Sequence, residues 1–384
     1  MAHAVRFSGF GGPEVLEVVE VPMPVPGEGE VLVEVFATGL NPVESAIRRG
    51  EHPERWPVQF PSPQGRDLAG VVVAVGPDVV GFARGDEVMG YVDRGAQATH
   101  VVVPERQLLP KPPALSWEVA GSLYVAGTTA WTAVEGLVLG PTDTIVVTAA
   151  AGGVGCLAAQ FARMRGATVV GTSASMRFDF LRQFGIIPTE YGPALAERVR
   201  PLSNGPVTAF LDFLGGQSDE AVKLGVPTSR ILTVMDWEAV EEHGAVKLYA
   251  GDVVALGRVA ALVAARRVRL PIADVFPLDD VAEAYKALDR REAPGKIVLG
   301  LRVVGYAAQR VQEPAIKEQD VTLGVPTPHA HLDVEEAVPS AIGDGSVRRR
   351  HREERAERAR RVEEKAEAQA RAADETPELD QLDV

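Results

Sequence analysis

The chain has 384 residues, of which 46% are hydrophobic and 24% charged, with a net charge of −14 and a single cysteine, Cys156. That length suits two domains, each large enough to bury a core without covalent staples. One cysteine excludes an intrachain disulfide and a cysteine-rich zinc cluster, and the acidic balance argues against non-specific nucleic-acid binding.

The N-terminus carries no signal-peptide pattern, and no apolar run approaches spanning length, so a cytoplasmic protein with no membrane segment is expected. Short β-rich runs come first, at 15–21, 31–37 and 71–75. They are bounded by turn signals such as Pro26-Gly27-Glu28-Gly29 and read as a small irregular β-barrel or sandwich. From Trp117 the pattern changes to helix-length segments alternating with apolar strands at 144–147, 168–171, 209–213 and 230–235. Residues 155–165 carry a helical apolar face between the first two strands. Such alternation predicts βαβ units, a parallel sheet and a doubly wound α/β fold. A helix over 280–290 and a strand over 296–301 close the structured body. Beyond Gly305 the chain turns polar, and 347–373 is almost wholly Arg, Glu, Lys and Ala. A solvated, partly helical or disordered charged tail is expected over 304–384. Its run Arg348-Arg349-Arg350-His351-Arg352 is followed at once by glutamates, which fits a solvated helix better than a nucleic-acid contact.

The most informative stretch is Thr148-Ala149-Ala150-Ala151-Gly152-Gly153-Val154-Gly155, directly after the first apolar strand of the second half. A glycine-rich turn between a strand and a helix brings backbone N–H groups to a diphosphate at a helix N-terminus. A second strand on schedule strengthens the reading of a dinucleotide fingerprint over that of a structural turn. A site that prefers NAD places a carboxylate at the end of the second strand. Here Val169-Val170-Gly171-Thr172-Ser173 ends without one, and Ser175 and Arg177 follow. Hydroxyls beside a guanidinium suit a ribose 2′-phosphate, so NADP(H) is the expected cofactor. Arg177 also reads as a solvated residue at a helix start.

These residues, together with several ordered motifs, resemble a known family. The motifs are Gly11-Gly12-Pro13-Glu14-Val15-Leu16, Gly39-Leu40-Asn41-Pro42-Val43-Glu44, Gly65-Arg66-Asp67-Leu68-Ala69-Gly70, Gly85-Asp86-Glu87-Val88, Gly127-Thr128-Thr129-Ala130, the glycine turn itself, and Gly295-Lys296-Ile297-Val298-Leu299. From about Ala4 to Leu301 the chain is similar to the zinc-independent, quinone oxidoreductase-like branch of the medium-chain dehydrogenase/reductase superfamily. The resemblance implies a chaperonin-10-like β-barrel catalytic domain over 1–118 with 271–303, and a Rossmann domain over 119–270. It implies nicotinamide in the cleft between them and pairing into homodimers. It also implies that Asn41 lies near the nicotinamide ribose and Thr129 near the nicotinamide ring. The backbone of Ala151, Gly152, Gly153 and Val154 would hold the diphosphate, with Gly171, Ser173, Arg177 and Tyr191 at the adenosine end. Asn41 equally reads as a turn residue before Pro42. Glu44 and Asp67 read as organisers of the barrel and cleft rather than as chemistry.

Zinc-dependent relatives bind metal through Cys and His or carboxylate. This chain has Asn41 where a cysteine ligand would stand and Gly65-Arg66-Asp67 in place of Gly-His-Glu, so no zinc is expected. Without a Lewis acid, a quinone or an α,β-unsaturated carbonyl is an easier hydride acceptor than a plain ketone, because charge spreads into an enolate. His52 is a candidate proton donor, with a solvent-exposed loop histidine as the plainer alternative. Trp56, Tyr91 and Trp131 are candidates to wall an apolar substrate pocket, or simply to pack the core. Two other functions stay open: an enoyl-thioester reductase, and a catalytically idle NADPH-binding sensor or structural protein.

Overall fold

The computed structural model describes residues 1–291 and 294–301. The chain divides into Met1–Val303 and Val304–Val384, and the second unit, with the expected charged tail, lies outside the described residues.

The first half supplies β1 (Ala2–Phe7), β2 (Glu17–Val21), β3 (Glu30–Gly39), α1 (Pro42–Arg48), β4 (Ser62–Pro63), β5 (Asp67–Val75), β6 (Glu87–Tyr91), β7 (His100–Pro104) and β8 (Leu108–Pro110). The second half supplies α2 (Trp117–Ala120), α3 (Leu123–Glu135), β9 (Thr144–Val147), α4 (Gly153–Met164), β10 (Thr168–Thr172), α5 (Phe178–Gln183), β11 (Ile187–Thr189) and α6 (Leu195–Val199). It continues through β12 (Ala209–Asp212), α7 (Ser218–Lys223), β13 (Ile231–Thr233), α8 (Trp237–His243), β14 (Val246–Lys247) and α9 (Val253–Ala264). The chain then returns through β15 (Ile272–Pro277), α10 (Val281–Asp289) and β16 (Lys296–Gly300).

The long strand β3 organises the first half. It pairs antiparallel with β5, β7 and the returning strand β16, in a sheet ordered β15-β16-β3-β5-β6-β8. Val31, Val33 and Val35 point inward with Leu68, Val72, Val88, Val101 and Val103, which is the period-2 alternation of a half-buried strand closing around one core. A small sheet, β2-β1-β4, packs beside it.

The second half forms an all-parallel sheet ordered β11-β10-β9-β12-β13-β14. Its strands are apolar on both faces. Ile145, Val147, Val169 and Leu211 join one core, while Val146, Val170 and Phe210 join the other. Burying both faces requires helices on both sides, which is the doubly wound arrangement expected for these runs. The order reverses at β9, so the turn leaving β9 opens at the switch point where such folds bind ligands. Small residues set the close approach of α3 to α4: Ala126, Ala130 and Ala133 on one, Ala158, Ala159 and Ala162 on the other, all buried.

The strands β11, β14 and β15 were not expected from the sequence. β11 and β14 are three and two residues long, too short to show a period, and β15 carries Asp274 and ends at Pro277.

Candidate active site

Thr148 to Gly152 connect β9 to α4. Ala149 turns the chain through φ +48, and the Ala149 and Ala150 amides donate to Thr172 of β10, at 3.3 Å to Oγ1 and 2.9 Å to the carbonyl oxygen. No side chain caps α4, whose N-cap is Gly152. The first-turn amides beyond Gly153, which faces the Gly295 carbonyl across the Gly152–Gly295 bridge, have no intrahelical acceptor and stand at the positive end of the helix dipole, where an anion is favoured. Gly155 is required by close approach: a Cβ there would stand 2.3 Å from the Ala149 carbonyl oxygen. Below the turn, the Thr148 hydroxyl donates to Asp212 at 2.7 Å, and Asp212 also accepts the amides of Leu214, Gly215 and Gln217. Burial pushes the Asp212 carboxyl up, while these hydrogen bonds pull it down.

The residues expected at the adenosine end gather at the carboxyl ends of β10 and β11. Gly171 and Ser173 are buried, Ser175 and Arg177 share the single turn Ser175–Arg177, and Tyr191 is half exposed in the loop after β11. Arg198 of α6 shapes that loop by donating to the carbonyls of Glu190, Tyr191, Gly192 and Pro193. Thr129 lies buried on α3, one turn beyond Ala126, whose Cβ is 3.6 Å from where a Cβ on Gly153 would stand.

Asn41 opens α1 as its N-cap, and the Glu44 side chain reaches back to accept the Asn41 backbone amide at 3.0 Å, which is the N3 half of a capping box. The Asn41 side chain is fully engaged. Nδ2 donates to Glu44 Oε1 at 3.1 Å and Asp67 Oδ2 at 3.2 Å, and Oδ1 accepts from the Lys296 ammonium at 2.6 Å. Lys296 also donates to the Leu40 carbonyl at 2.6 Å, with Asp67 Oδ2 at 3.5 Å. On the far side, Glu44 accepts from the Tyr285 hydroxyl at 2.7 Å, and Tyr285 accepts from Gln97 at 2.8 Å. Burial raises the Glu44 carboxyl, helped by the Asp67 charge and opposed by the Tyr285 and Asn41 hydrogen bonds and by Lys296. Glu44 and Asp67 thus lie in one buried network with Lys296, Gln97 and Tyr285, residues that carry no expected role in the sequence.

Tyr91 stacks on Tyr124 with ring centroids 3.8 Å apart and planes 2° from parallel. The pair lines a cavity of about 580 Å³ with Asp93, Gln107, Thr132 and Asp252. Burial pushes the Tyr124 phenol well up, so it stays protonated at neutral pH. Trp131 does not line this cavity. It packs edge-on against Phe161 of α4, with ring centroids 5.4 Å apart. His52 sits exposed in the loop after α1 at φ +52, edge-on to Trp56 and to Trp237 of α8. Arg55 of the same loop lies over Trp237 at 3.9 Å and Tyr249 at 4.9 Å, linking this loop to the parallel-sheet half.

Residues 27–113 match the alcohol dehydrogenase GroES-like domain, and residues 194–299 match the zinc-binding dehydrogenase family. The chain is 37% identical over 195 residues to the chloroplastic quinone oxidoreductase QR1 of Triphysaria versicolor, an alignment covering 48% of this chain and 59% of that protein. It therefore spans less than two thirds of this curated relative. Among solved structures, the quinone oxidoreductase from Coxiella burnetii matches with a TM-score of 0.73 at 28% identity, over 78% of this chain and 99% of that one. A mycobacterial protein solved in complex with NADPH gives 0.68 at 26% identity, over 78% and 100%. The chain belongs to the medium-chain dehydrogenase/reductase superfamily, in its quinone oxidoreductase-like branch.

Within this superfamily the GroES-like match falls on β3 to β8, and the second match on α6 to β16. The glycine turn lies between the two. Its geometry fits a dinucleotide, since the cradle is closed to any side chain at Gly155 and lined by uncapped amides. The donor set does not fit a zinc ion. At the motif positions where zinc-dependent relatives place their cysteine and histidine ligands stand Asn41 and Arg66, with Asp67 at the carboxylate position that follows, and an ammonium already lies against the Asn41 and Asp67 oxygens that a dication would need. Among the described residues, no three His, Cys, Asp or Glu side chains come together to hold a metal. The single thiol, Cys156, is buried in α4 with its pKa pushed up to about 12, so it is not a reactive nucleophile.

Proposed function

We propose that this chain is an NADPH-dependent, metal-free oxidoreductase that delivers hydride to a quinone or an α,β-unsaturated carbonyl. The observation that carries the reading is the donor set at the switch point: uncapped amides at the start of α4, with no carboxylate at the end of β10 and Ser175 and Arg177 directly beyond it. The names of the relatives and the NADPH-bound neighbour support it.

On this reading residues 1–118 with 271–303 form the catalytic domain and 119–270 the cofactor domain. The backbone of Ala151 to Val154 takes the diphosphate, Ser173, Ser175 and Arg177 take the 2′-phosphate, and Tyr191 borders the adenine. Asn41 and Thr129 border the nicotinamide half. NADPH, when bound, supplies the hydride. The chain's own residues orient the acceptor, keep water out and hold the proton that follows. Tyr124, stacked against Tyr91, offers a protonated hydroxyl to a developing enolate oxygen, and His52 is the other candidate donor. The exposed edge strand β14 is the edge through which two copies would pair as a homodimer.

The test is a panel of quinones, enones and enoyl thioesters followed by loss of NADPH absorbance. Turnover of quinones or simple enones supports the reading. Turnover only with a CoA or carrier-protein handle makes the chain an enoyl-thioester reductase, and tight NADPH binding with no turnover across the panel overturns an enzymatic role.

A further inference from the structure

Lys296 is only 5% exposed, and a buried ammonium is tolerated only where it is paired and hydrogen-bonded. Its ammonium is held by the Leu40 carbonyl, Asn41 and Asp67. Its aliphatic stem runs against the dinucleotide turn: a Cβ on Gly153 would stand 2.7 Å from Lys296 Cδ and 3.0 Å from Cγ. The preceding residue contacts the same turn through its backbone. The Gly295 amide donates to the Ala151 carbonyl at 2.8 Å, and Gly152 and Gly295 form an isolated parallel bridge. Two consecutive residues at the start of β16 therefore grip the turn, and one of them reaches on to Asn41. That contact also fixes the orientation of the Asn41 amide, whose oxygen faces the ammonium while its nitrogen faces Glu44 and Asp67.

We infer that Lys296 is a positioning residue that couples the diphosphate turn to Asn41, so that one buried cation sets the register between the turn that takes the diphosphate and a residue that borders the nicotinamide half of NADPH. The inference rests on the NADPH reading above. Removing the charge leaves Glu44 and Asp67 beside Asn41 without their cation and frees the Asn41 amide to rotate. The adenosine end, formed by Ser173, Ser175 and Arg177, is untouched. The loss falls on orientation rather than on affinity.

The test uses the full chain and three readouts: NADPH affinity by fluorescence titration, the emission of the bound nicotinamide, which reports how firmly the ring is held, and the rate of single-turnover hydride transfer. Lys296→Met should keep the NADPH dissociation constant within about threefold of wild type while losing the bound-state emission enhancement. Single-turnover hydride transfer to the best acceptor should fall about a hundredfold, the size expected of a misplacement near 1 Å. Lys296→Arg, which keeps the charge, should recover part of both. Where Lys296→Met fails to fold, Lys296→Arg carries the test by a partial loss of emission at unchanged affinity, and Gly153→Ala is a further arm, because it retains the lysine but displaces its stem. Its effect should be strongly non-additive with Lys296→Ala, which removes the clash. Wild-type emission and transfer rates in Lys296→Met, or additive losses in the double variant, overturn the inference alone. A wild-type chain that binds no NADPH overturns the functional reading and this inference with it.

Discussion

The glycine turn and the network around Lys296 lie against each other, yet they come from the sequence in different ways. The turn is contiguous: strand, Ala149 to Gly152, then helix, with its shape set by neighbours and by β10 of the same sheet, and with Gly295 and Lys296 reaching it from the start of β16. The network joins β5, the start of α1, α10 and β16, and one of its two shortest bonds, Lys296 to Asn41, spans 255 residues. A local device depends on backbone shape and fails by distortion. An assembled one depends on balanced buried charge and fails when one partner is removed.

The sharpest break in the assembled region is Asp67→Ala. Asp67 is fully buried and accepts from Asn41 at 3.2 Å and from the Val125 amide at 2.8 Å, with the Lys296 ammonium at 3.5 Å. Its removal leaves a buried ammonium undercompensated and should cost about 3–5 kcal/mol of stability by urea denaturation. A loss below about 1 kcal/mol would mean that the ammonium is held by its carbonyl contacts alone.

The matching break in the local region is Gly155→Ala. The added methyl meets a backbone oxygen that only a shift of the turn can relieve. Stability should fall by about 1–3 kcal/mol, as for other overpacked sites. NADPH affinity should fall at least about tenfold, because the amides would no longer converge on one diphosphate. Unchanged affinity would show that the diphosphate lies elsewhere.

This contrast also explains what could be read in advance. The turn, the strands at 144–147 and 168–171 and the helix between them were legible because covalent continuity fixes their spacing and hydrophobic period. The matched motifs made Asn41 and Lys296 visible as positions, but nothing in either motif says that one side chain ends on the other. Tyr124 was hidden in the same way: it reads as one apolar position of α3, and its role appears only when β6 brings Tyr91 onto its ring. Trp131, seven residues further along α3, carries the same apolar signal and instead packs on Phe161. Aromatic residues announce burial in a sequence, but which wall they bury against is decided by partners distant in the chain.

A smaller effect separates the two ends of the proposed cofactor site. Arg177→Ala should weaken NADPH by about 1.5–3 kcal/mol, the worth of hydrogen bonds to a charged group, while leaving NADH nearly unchanged. Equal losses for the two would remove the 2′-phosphate assignment and leave the turn as the sole basis for cofactor binding.

The smallest expected effect lies in pH dependence within the network. Glu44 has its carboxyl raised first by burial and then by the Asp67 charge. A raised folded-state pKa means that the folded chain binds more protons than the unfolded chain between the ordinary carboxylate range and the raised value. The stability Glu44 contributes is therefore complete below the ordinary carboxylate range and is lost as pH rises through the raised value. Glu44→Gln removes that titration. It also places an amide nitrogen where Asn41 Nδ2 now donates, so it costs a constant amount at every pH, roughly one hydrogen bond of about 1 kcal/mol. The readout is the slope rather than the offset: the stability of wild type minus that of Glu44→Gln should decline steadily as pH rises from the ordinary carboxylate range. A difference that stays flat with pH would mean that Lys296 and the Tyr285 hydroxyl fully offset the burial of Glu44, and that the network holds it charged throughout.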